Sequence, residues 1–600
     1  MPESNGDRIL RVDMTTQTTS FDPFPADWKI LGGRALSARI LLEECDPKCD
    51  PLGPENVLVM APGVLSGTSA PTSGRISMGG KSPLTNGIKE ANAGGNPGQH
   101  LMKLNIRAVV VKGKPVDPER RYGVIVDEQG ARVVSADEYK GMWNYAACEK
   151  LFSNQPASAS AICIGPAGEL QLRGASIHCT DQEKQRHPAR AAARGGLGAV
   201  MGSKGLKWVL VDPARARPRQ PADAAGFNAL VKNYSKAYRD GPQIFKYGTS
   251  AILPTANLLN TLPYKNRTEG QSPDAANLAG MKIVESFEVR GGGMHNCMTG
   301  CIVQCSNVVH GEDGNYLTSA LEFETLALLG SNCGVDSWEK VADLDRLCDE
   351  IGVDTIEAGA AIAVLMDAGQ LEWGDAEAMK KLLADVGSGT DLGTTVGNGA
   401  ASVGKRFNHA RVPVVKGQAV PAWDPRPLKA TGVTYASSPM GADHTAGLVI
   451  KPGMPEDQYA QASRESQLVN AVCDSSGFCQ FLQPSLKDIA EFYSLLYGEP
   501  VKPEEMAEIG WQCLQDEWAF NERAGLTEAD DDLPACLREE GVGPGGMMKF
   551  DVSADIIRQA KERAPWREEM FAMRATGKRL EVRGQRRRPT PAASFLFLER

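Results

Sequence analysis

Three cysteines lie close together in Cys297-Met298-Thr299-Gly300-Cys301-Ile302-Val303-Gln304-Cys305, a C-x3-C-x3-C spacing. Thiolates this near to one another can wrap one iron–sulfur cluster, with the fourth ligand supplied from elsewhere in the chain. Two other readings stay open on spacing alone. Steps of four residues also stack side chains on one helix face, and clustered thiolates bind zinc. A second signal is a pair of related hexapeptides, Asp349-Glu350-Ile351-Gly352-Val353-Asp354 and Asp474-Ser475-Ser476-Gly477-Phe478-Cys479. Both read D-x-x-G, then an apolar residue, then Asp or Cys. The glycine permits a tight turn, and the acids can accept ring N–H bonds from a polar heterocycle. Cys479 ends the second hexapeptide and is the candidate fourth thiolate, although two such matches can arise by chance in 600 residues.

Three small-residue segments follow the same logic. Ala70-Pro71-Thr72-Ser73-Gly74-Arg75-Ile76-Ser77, Lys81-Ser82-Pro83-Leu84-Thr85-Asn86-Gly87 and Ala91-Asn92-Ala93-Gly94-Gly95-Asn96 offer backbone donors. They suit a phosphate-bearing ligand with Arg75 as a bidentate partner; turns between strands use the same composition. Arg194-Gly195-Gly196-Leu197-Gly198-Ala199-Val200-Met201-Gly202 looks like a dinucleotide loop. Such a loop must follow a strand. Residues 182–194 are charged and helical in character, so generic phosphate binding is expected there instead.

These motifs need elements to hold them. The first ~210 residues read as short strands ended by turns. Examples are Ala108-Val109-Val110-Val111 and Trp208-Val209-Leu210-Val211, with a hairpin signal where Val124-Ile125-Val126 and Arg132-Val133-Val134 flank Asp127-Glu128-Gln129-Gly130. A Pro- and Arg-rich linker follows at 213–221. Apolar stripes then predict helices over 355–368 and 486–497, with a second Pro-rich break near 413–427. The fold class is α+β: a β-rich domain over 1–212, then mainly helical domains over 213–415 and 416–600. The end, with Arg586-Arg587-Arg588 and Pro589, reads as a loose tail. No repeat of 20–50 residues is visible.

Composition narrows the function classes. A formal charge of -9 argues against nucleic acid as a partner. No signal peptide and no 18-residue apolar run are apparent, so a cytoplasmic protein without a membrane span is expected. Fourteen cysteines are too few for a disulfide scaffold of this length, so clustered ones are read as ligands.

In their order along the chain, these motifs resemble the tungsten-containing aldehyde:ferredoxin oxidoreductases. Leu31-Gly32-Gly33-Arg34, Leu321-Glu322-Phe323-Glu324-Thr325, Asp424-Pro425-Arg426 and Gly441-Ala442-Asp443-His444 look similar as well, and the resemblance runs to about residue 575. It implies a β-rich base on which two pterins grip one tungsten (or molybdenum), covered by two helical domains, with a [4Fe–4S] cluster beside one pterin. Carried over by position, Cys297, Cys301, Cys305 and Cys479 hold the cluster. Arg75, Asn92, Arg194 and Gly195 meet pterin phosphates and their Mg2+. Asp349, Asp354 and Asp474 meet pterin ring atoms. Glu324, with Glu322 as second choice, is the active-site acid, and His444 is the substrate-side histidine. The implied reaction interconverts a small aldehyde and its acid. Glu324 activates water or the aldehyde hydrate, and His444 donates to the carbonyl oxygen. Electrons pass through the cluster to ferredoxin or a ferredoxin-like subunit.

Two features depart from the family pattern. The first cysteine spacer is three residues where two is commonest, and no Glu-x-x-His occurs for a subunit-bridging iron, so that iron site is unsupported and the oligomeric state, a homodimer included, is open. Two alternatives carry different chemistry: a sibling enzyme reducing a carboxylic acid or an aromatic acyl-CoA, and a non-catalytic iron–sulfur electron carrier. Cys333, Cys348 and Cys473 are expected to be buried small residues.

Overall fold

The computed structural model describes residues 6–183, 185–241 and 245–574. The basic tail lies outside the described residues. The fold is α+β, with most strands in the first third and mainly helices after it.

Six strands form the first sheet: β1 Arg8–Asp13, β2 Thr18–Pro23, β3 Leu58–Pro62, β4 Ile76–Lys81, β5 Ile88–Ala93 and β6 Ile106–Lys112. Six more form the second: β7 Tyr122–Asp127, β8 Gly130–Ser135, β9 Ser160–Cys163, β10 Ile177–Cys179, β11 Arg190–Ala192 and β12 Leu206–Val211. The sheet orders are β2-β1-β6-β3-β4-β5 and β8-β7-β12-β9-β10-β11, the same sequence of partners taken twice. Only β1–β6 and β7–β12 are parallel within these sheets. In each half a seven-residue helix, Pro97–Lys103 or Leu197–Ser203, follows a glycine pair and leads into the last strand. The first domain is therefore two copies of one unit, about 100 residues apart, a period too long for a search at 20–50 residues.

Side-chain alternation explains how the copies pack. Leu10, Val12, Leu58, Met60, Val109 and Val111 of one sheet share a core with Val124, Val126, Ile162, Val209 and Val211 of the other. The residues between them face outward. Ile9, Val59, Ala61, Ala108 and Val110 pack on the helix Gly33–Glu44, and Ala161, Cys163, Trp208 and Leu210 pack on the helix Asn144–Phe152. The 124–134 hairpin forms as expected.

The expectation for residues 182–194 fails. They include β11, a three-residue strand at the sheet edge, paired antiparallel with β10. Arg190 misled the reading because its charge is buried against Asp181, 3.0 Å away, and not solvated on a helix. Strand, loop and helix do occur here in that order, but on an antiparallel edge and not in a parallel crossover unit.

The expected helices form at Thr355–Asp367 and Leu486–Tyr497. The second is closed by a Ser485–Asp488 capping box and by Gly498 at φ 72°. The helix Ala224–Asp240 lies on Leu486–Tyr497, with the rings of Phe227 and Phe492 5.4 Å apart. Cys333, Cys348 and Cys473 are buried. No described helix is long and apolar enough to cross a membrane.

Candidate functional site

The Cys297–Cys305 segment is an irregular loop joining β13 Gly292–His295 to β14 Ser306–His310, so the three cysteines do not share a helix face. First-domain side chains hold it. Asn96 Oδ1 accepts from the N–H and hydroxyl of Thr299, each at 3.1 Å, and Gln182 Nε2 donates to Asn296 O at 2.8 Å. Thr72 does most. Its N–H donates to Gly300 O and its O accepts from Cys479 N–H, both at 2.9 Å, while its hydroxyl accepts from Ile302 N–H at 3.0 Å. One residue, itself left-handed at φ 56°, thus stitches the three-cysteine loop to the fourth cysteine.

Around these thiols the chain is close-packed. All four share one core region with Val64, Phe245 and Phe478. A Cβ on Gly94 would stand 3.1 Å from Cys297 Sγ and 3.8 Å from Arg75 Nη1. Burial lowers the affinity of Arg75 for its proton, but Cys479, Cys297 and Asp474 outweigh it, so the guanidinium stays charged. Among the described residues, only Asp181, Glu183 and His295 bring three ligand atoms within 4.8 Å of one another. No three of the four thiols lie that close together, although Cys297 and Cys301 are near neighbours.

The two D-x-x-G segments are built alike. Asp349 and Asp474 each sit in the last turn of a helix, Trp338–Ile351 and Tyr459–Ser476, and each helix is capped by a left-handed glycine, Gly352 or Gly477. Each loop seats on one copy of the repeated unit. Val64 N–H, Leu65 N–H and Arg75 N–H donate to the carbonyls of Ser475, Ser476 and Gly477; Ser176 N–H donates to Gly352 O, and Asp354 N–H to Gly174 O. A glycine permits each approach. A Cβ on Gly63 would lie 2.5 Å from the Ser476 carbonyl carbon, and one on Gly165 2.5 Å from that of Ile351. Burial pushes both Asp349 and Asp474 well above the usual carboxylate range, helped by Asp345 near the first and Glu90 near the second. Asp474 Oδ2 has no hydrogen-bond partner. Asp354 caps the next helix through Ile356 N–H and accepts from Arg194 Nε at 3.4 Å.

The phosphate candidates fall into the same pattern, one set per copy. Arg75 grips Asn92 through its side-chain oxygen and its carbonyl. Arg194 donates to Asp354, to Ala442 O at 2.6 Å and to Ala419 O at 2.5 Å. It therefore clasps the helical segments together. Gly195 and Gly196 are left-handed at φ 79° and 73°, and a Cβ on Gly195 would meet Lys89 Cδ at 2.7 Å. Lys89 in turn pairs with Asp443, both fully buried. Asp443 also lies 3.7 Å from His444 Nδ1. Glu324 Oε2 accepts from Ala422 N–H at 2.6 Å. Its Oε1 is buried without a hydrogen-bond partner, as is His444 Nδ1. Arg194 faces both Asp443 and Glu324 electrostatically, which brings the acid and the histidine segment to one region. Glu322 turns away, binding Thr249 and facing Cys305.

Comparison with known proteins decides the family. The model of the aldehyde ferredoxin oxidoreductase N-terminal domain matches residues 9–213, and that of domains 2 and 3 matches residues 229–580. The chain belongs to the aldehyde ferredoxin oxidoreductase family. It is an oxidoreductase. The tungsten-containing aldehyde ferredoxin oxidoreductase of Pyrococcus furiosus is 31% identical over 583 residues, 90% of this chain and 93% of that protein. The Thermococcus kodakarensis enzyme of the same name is 30% identical with the same coverage. A P. furiosus aliphatic sulfonate oxidoreductase, WOR-like subunit, is 27% identical, covering 84% of each chain. Among solved structures, the active-site complex BamBC of benzoyl coenzyme A reductase shares the fold. Its TM-score is 0.75 at 18% identity, over 88% of this chain and 90% of that one.

Within this aldehyde ferredoxin oxidoreductase scaffold, sequence reading missed Thr72, Asn96, Lys89 and Asp443. Thr72 and Asn96 sat inside segments already singled out, but Thr72 works mainly through its own N–H and carbonyl, and the Asn96 side chain meets a loop 203 residues away, which no local pattern advertises. A lysine buried in a strand is a readable anomaly, so Lys89 had a signal.

Proposed function

We propose that this protein is a tungsten bis-pterin, [4Fe–4S] oxidoreductase that interconverts aldehydes and carboxylic acids and passes the electrons to ferredoxin. One observation carries the reading: the first domain repeats a unit twice, and each copy receives one D-x-x-G loop, with four thiols gathered beside the second. Two equivalent cradles around one centre suit two equivalent ligands. The donor set fits them. Asp349 and Asp474 are buried acids that can stay neutral, Asp474 Oδ2 has no hydrogen-bond partner although Arg34 Nη1 stands 3.9 Å away, and Arg75 keeps one Nη group uncommitted.

In this reading Cys297, Cys301, Cys305 and Cys479 hold the cluster. Arg75, Asn92, Arg194 and Gly195 surround the pterin phosphates and Mg2+, and Asp349, Asp354 and Asp474 meet the rings. The bound metal-pterin and cluster supply the two-electron chemistry and its single-electron outlet. The chain's own work is local. Ala422 N–H fixes Glu324 Oε2, leaving Oε1 to take a proton from water or the aldehyde hydrate. His444 donates a hydrogen bond to the carbonyl oxygen as charge develops there. The Lys89–Asp443 pair anchors the loop that carries it. Both side chains are half-buried, which strengthens these interactions relative to open water.

The test is an anaerobic turnover screen of purified enzyme against aldehydes, carboxylic acids and aromatic acyl-CoA esters, with ferredoxin and dye acceptors or donors. Aldehyde oxidation coupled to ferredoxin supports the reading. Turnover confined to acyl-CoA reduction would replace it.

A further inference from the structure

Away from this site, the first domain holds two pairs of buried thiols in near contact. Cys45 and Cys49 have sulfurs 3.9 Å apart, and Cys148 and Cys163 3.7 Å apart. Their surroundings differ. Beside the first pair lie two buried lysines, Lys81 and Lys204. Lys81 Nζ donates to Cys49 O at 2.7 Å and Lys204 Nζ to Asn56 O at 2.5 Å. Among the described residues neither ammonium pairs with a carboxylate. A buried charge without a counter-charge is costly. Among the ionisable neighbours of Lys204, Cys45 acts most strongly, followed by Lys114, Cys49 and the exposed Glu55. The hydrogen bond from Cys49 is the largest influence lowering the Cys45 thiol, and both lysines add to it against burial. Burial brings Lys204 down to about 8, held from falling further chiefly by Cys45.

The second pair lacks this. Cys148 and Cys163 pack among Leu151, Phe152 and Trp208. The nearby lysine, Lys207, is spent on Glu169 at 2.5 Å and on Met142 O at 2.8 Å. The two pairs match in distance and differ in electrostatics.

We propose that Cys45 and Cys49 form a peroxide-reactive dithiol that closes reversibly to a disulfide, Cys45 attacking and Cys49 resolving. The Cys45 thiolate attacks one oxygen of hydrogen peroxide. The O–O bond breaks, leaving a sulfenic acid on Cys45 and hydroxide, which takes a proton and leaves as water. Cys49 then gives up its proton and attacks the Cys45 sulfur. The S–O bond breaks and a second water leaves. Each sulfur loses one electron and each peroxide oxygen gains one. A molecule the size of water suits thiols this buried, at 3% and 9% exposure. Closure removes the thiolate from beside Lys81, the residue that leads into Ser82. The Ser82 hydroxyl holds Gly195 O at 2.7 Å, so the oxidised pair lies one short segment from the proposed phosphate loop.

The experiment uses intact holoenzyme treated with limiting hydrogen peroxide, blocked with N-ethylmaleimide, denatured and digested with trypsin. Cleavage after Lys48 separates the two cysteines, so the disulfide appears as a linked pair of peptides, lighter by two hydrogens and released by dithiothreitol. The expected result is that this pair forms about tenfold or more faster than a Cys148–Cys163 link, since oxidation follows thiolate character. Lys204→Gln should slow it. Equal rates for the two pairs, a preference for Cys148–Cys163, or oxidation of Cys45 to sulfinic acid without a link would overturn the proposal. The comparison of pairs is made in the unmutated protein, so it stands even if the lysine variant does not fold.

Discussion

Replacing Gly63 with alanine tests whether the Asp474 loop depends on backbone-to-backbone contact with the first domain. The new Cβ would stand 2.5 Å from the Ser476 carbonyl carbon, whereas carbon contacts settle at ~3.5–4.0 Å. Gly477 N and Cα would be closer still, so the loop must retreat by more than about 1 Å. Of the hydrogen bonds that cross this seam, three involve residues next to or paired with Gly63: Val64 N–H to Ser475 O at 3.2 Å, Leu65 N–H to Ser476 O at 2.9 Å and Arg75 N–H to Gly477 O at 3.2 Å. A retreat of that size breaks or badly stretches all three. At about 1 kcal/mol each, the variant loses about 3 kcal/mol, with the damage beside Cys479. The assay pairs a thermal melt with iron content per chain. Gly63→Ala should melt earlier and carry less iron. Gly165→Ala, whose Cβ would meet the Ile351 carbonyl carbon, should melt earlier but keep its iron, since that loop ends in Asp354 and not a thiol. Normal iron and an unchanged melt in Gly63→Ala would refute the seam.

Three further outcomes are expected. Glu324→Gln should lose about 10²–10⁴ in turnover at unchanged metal content; full turnover would remove Glu324 as the base. Cys479→Ala should lose the [4Fe–4S] spectrum or convert it to a three-iron form, and a normal four-iron spectrum in that variant would reassign the fourth ligand. Burial holds Asp345 at about 7, well above its unfolded value of 3.8. The folded chain then binds the extra proton between these limits, so this group makes stability fall as pH rises from about 4 to about 7, by at most about 1.4 kcal/mol per unit. Denaturant melts of Asp345→Asn should show that slope reduced, and an unchanged slope would show that Asp345 is not its source.

What the sequence could show was mostly local. The three-cysteine spacing and the D-x-x-G glycines are short-range signals, and the glycines are left-handed helix caps, as a tight turn requires. The helix Leu486–Tyr497 was legible because its stripe and cap are both local. Thr72 was not legible, because it acts through its own N–H and carbonyl at positive φ, a state usually announced by glycine or asparagine. The repeated unit was hidden because the copies share hydrogen-bonding order and little side-chain identity beyond Gly94-Gly95 and Gly195-Gly196. Arg190 misled because a charged residue in a short edge strand looks like a solvated helix face until its partner, Asp181, is seen.

Four thiols and two paired cradles are proposed to hold an iron–sulfur cluster beside a tungsten or molybdenum pterin. Metal and pterin analysis of anaerobically purified protein tests this most directly, with tungsten and molybdenum measured separately. The expected content is roughly four irons and one tungsten or molybdenum per chain, with pterin recovered on denaturation. Iron without either heavy metal would leave only an electron carrier, and zinc in place of iron would contradict the account at its base.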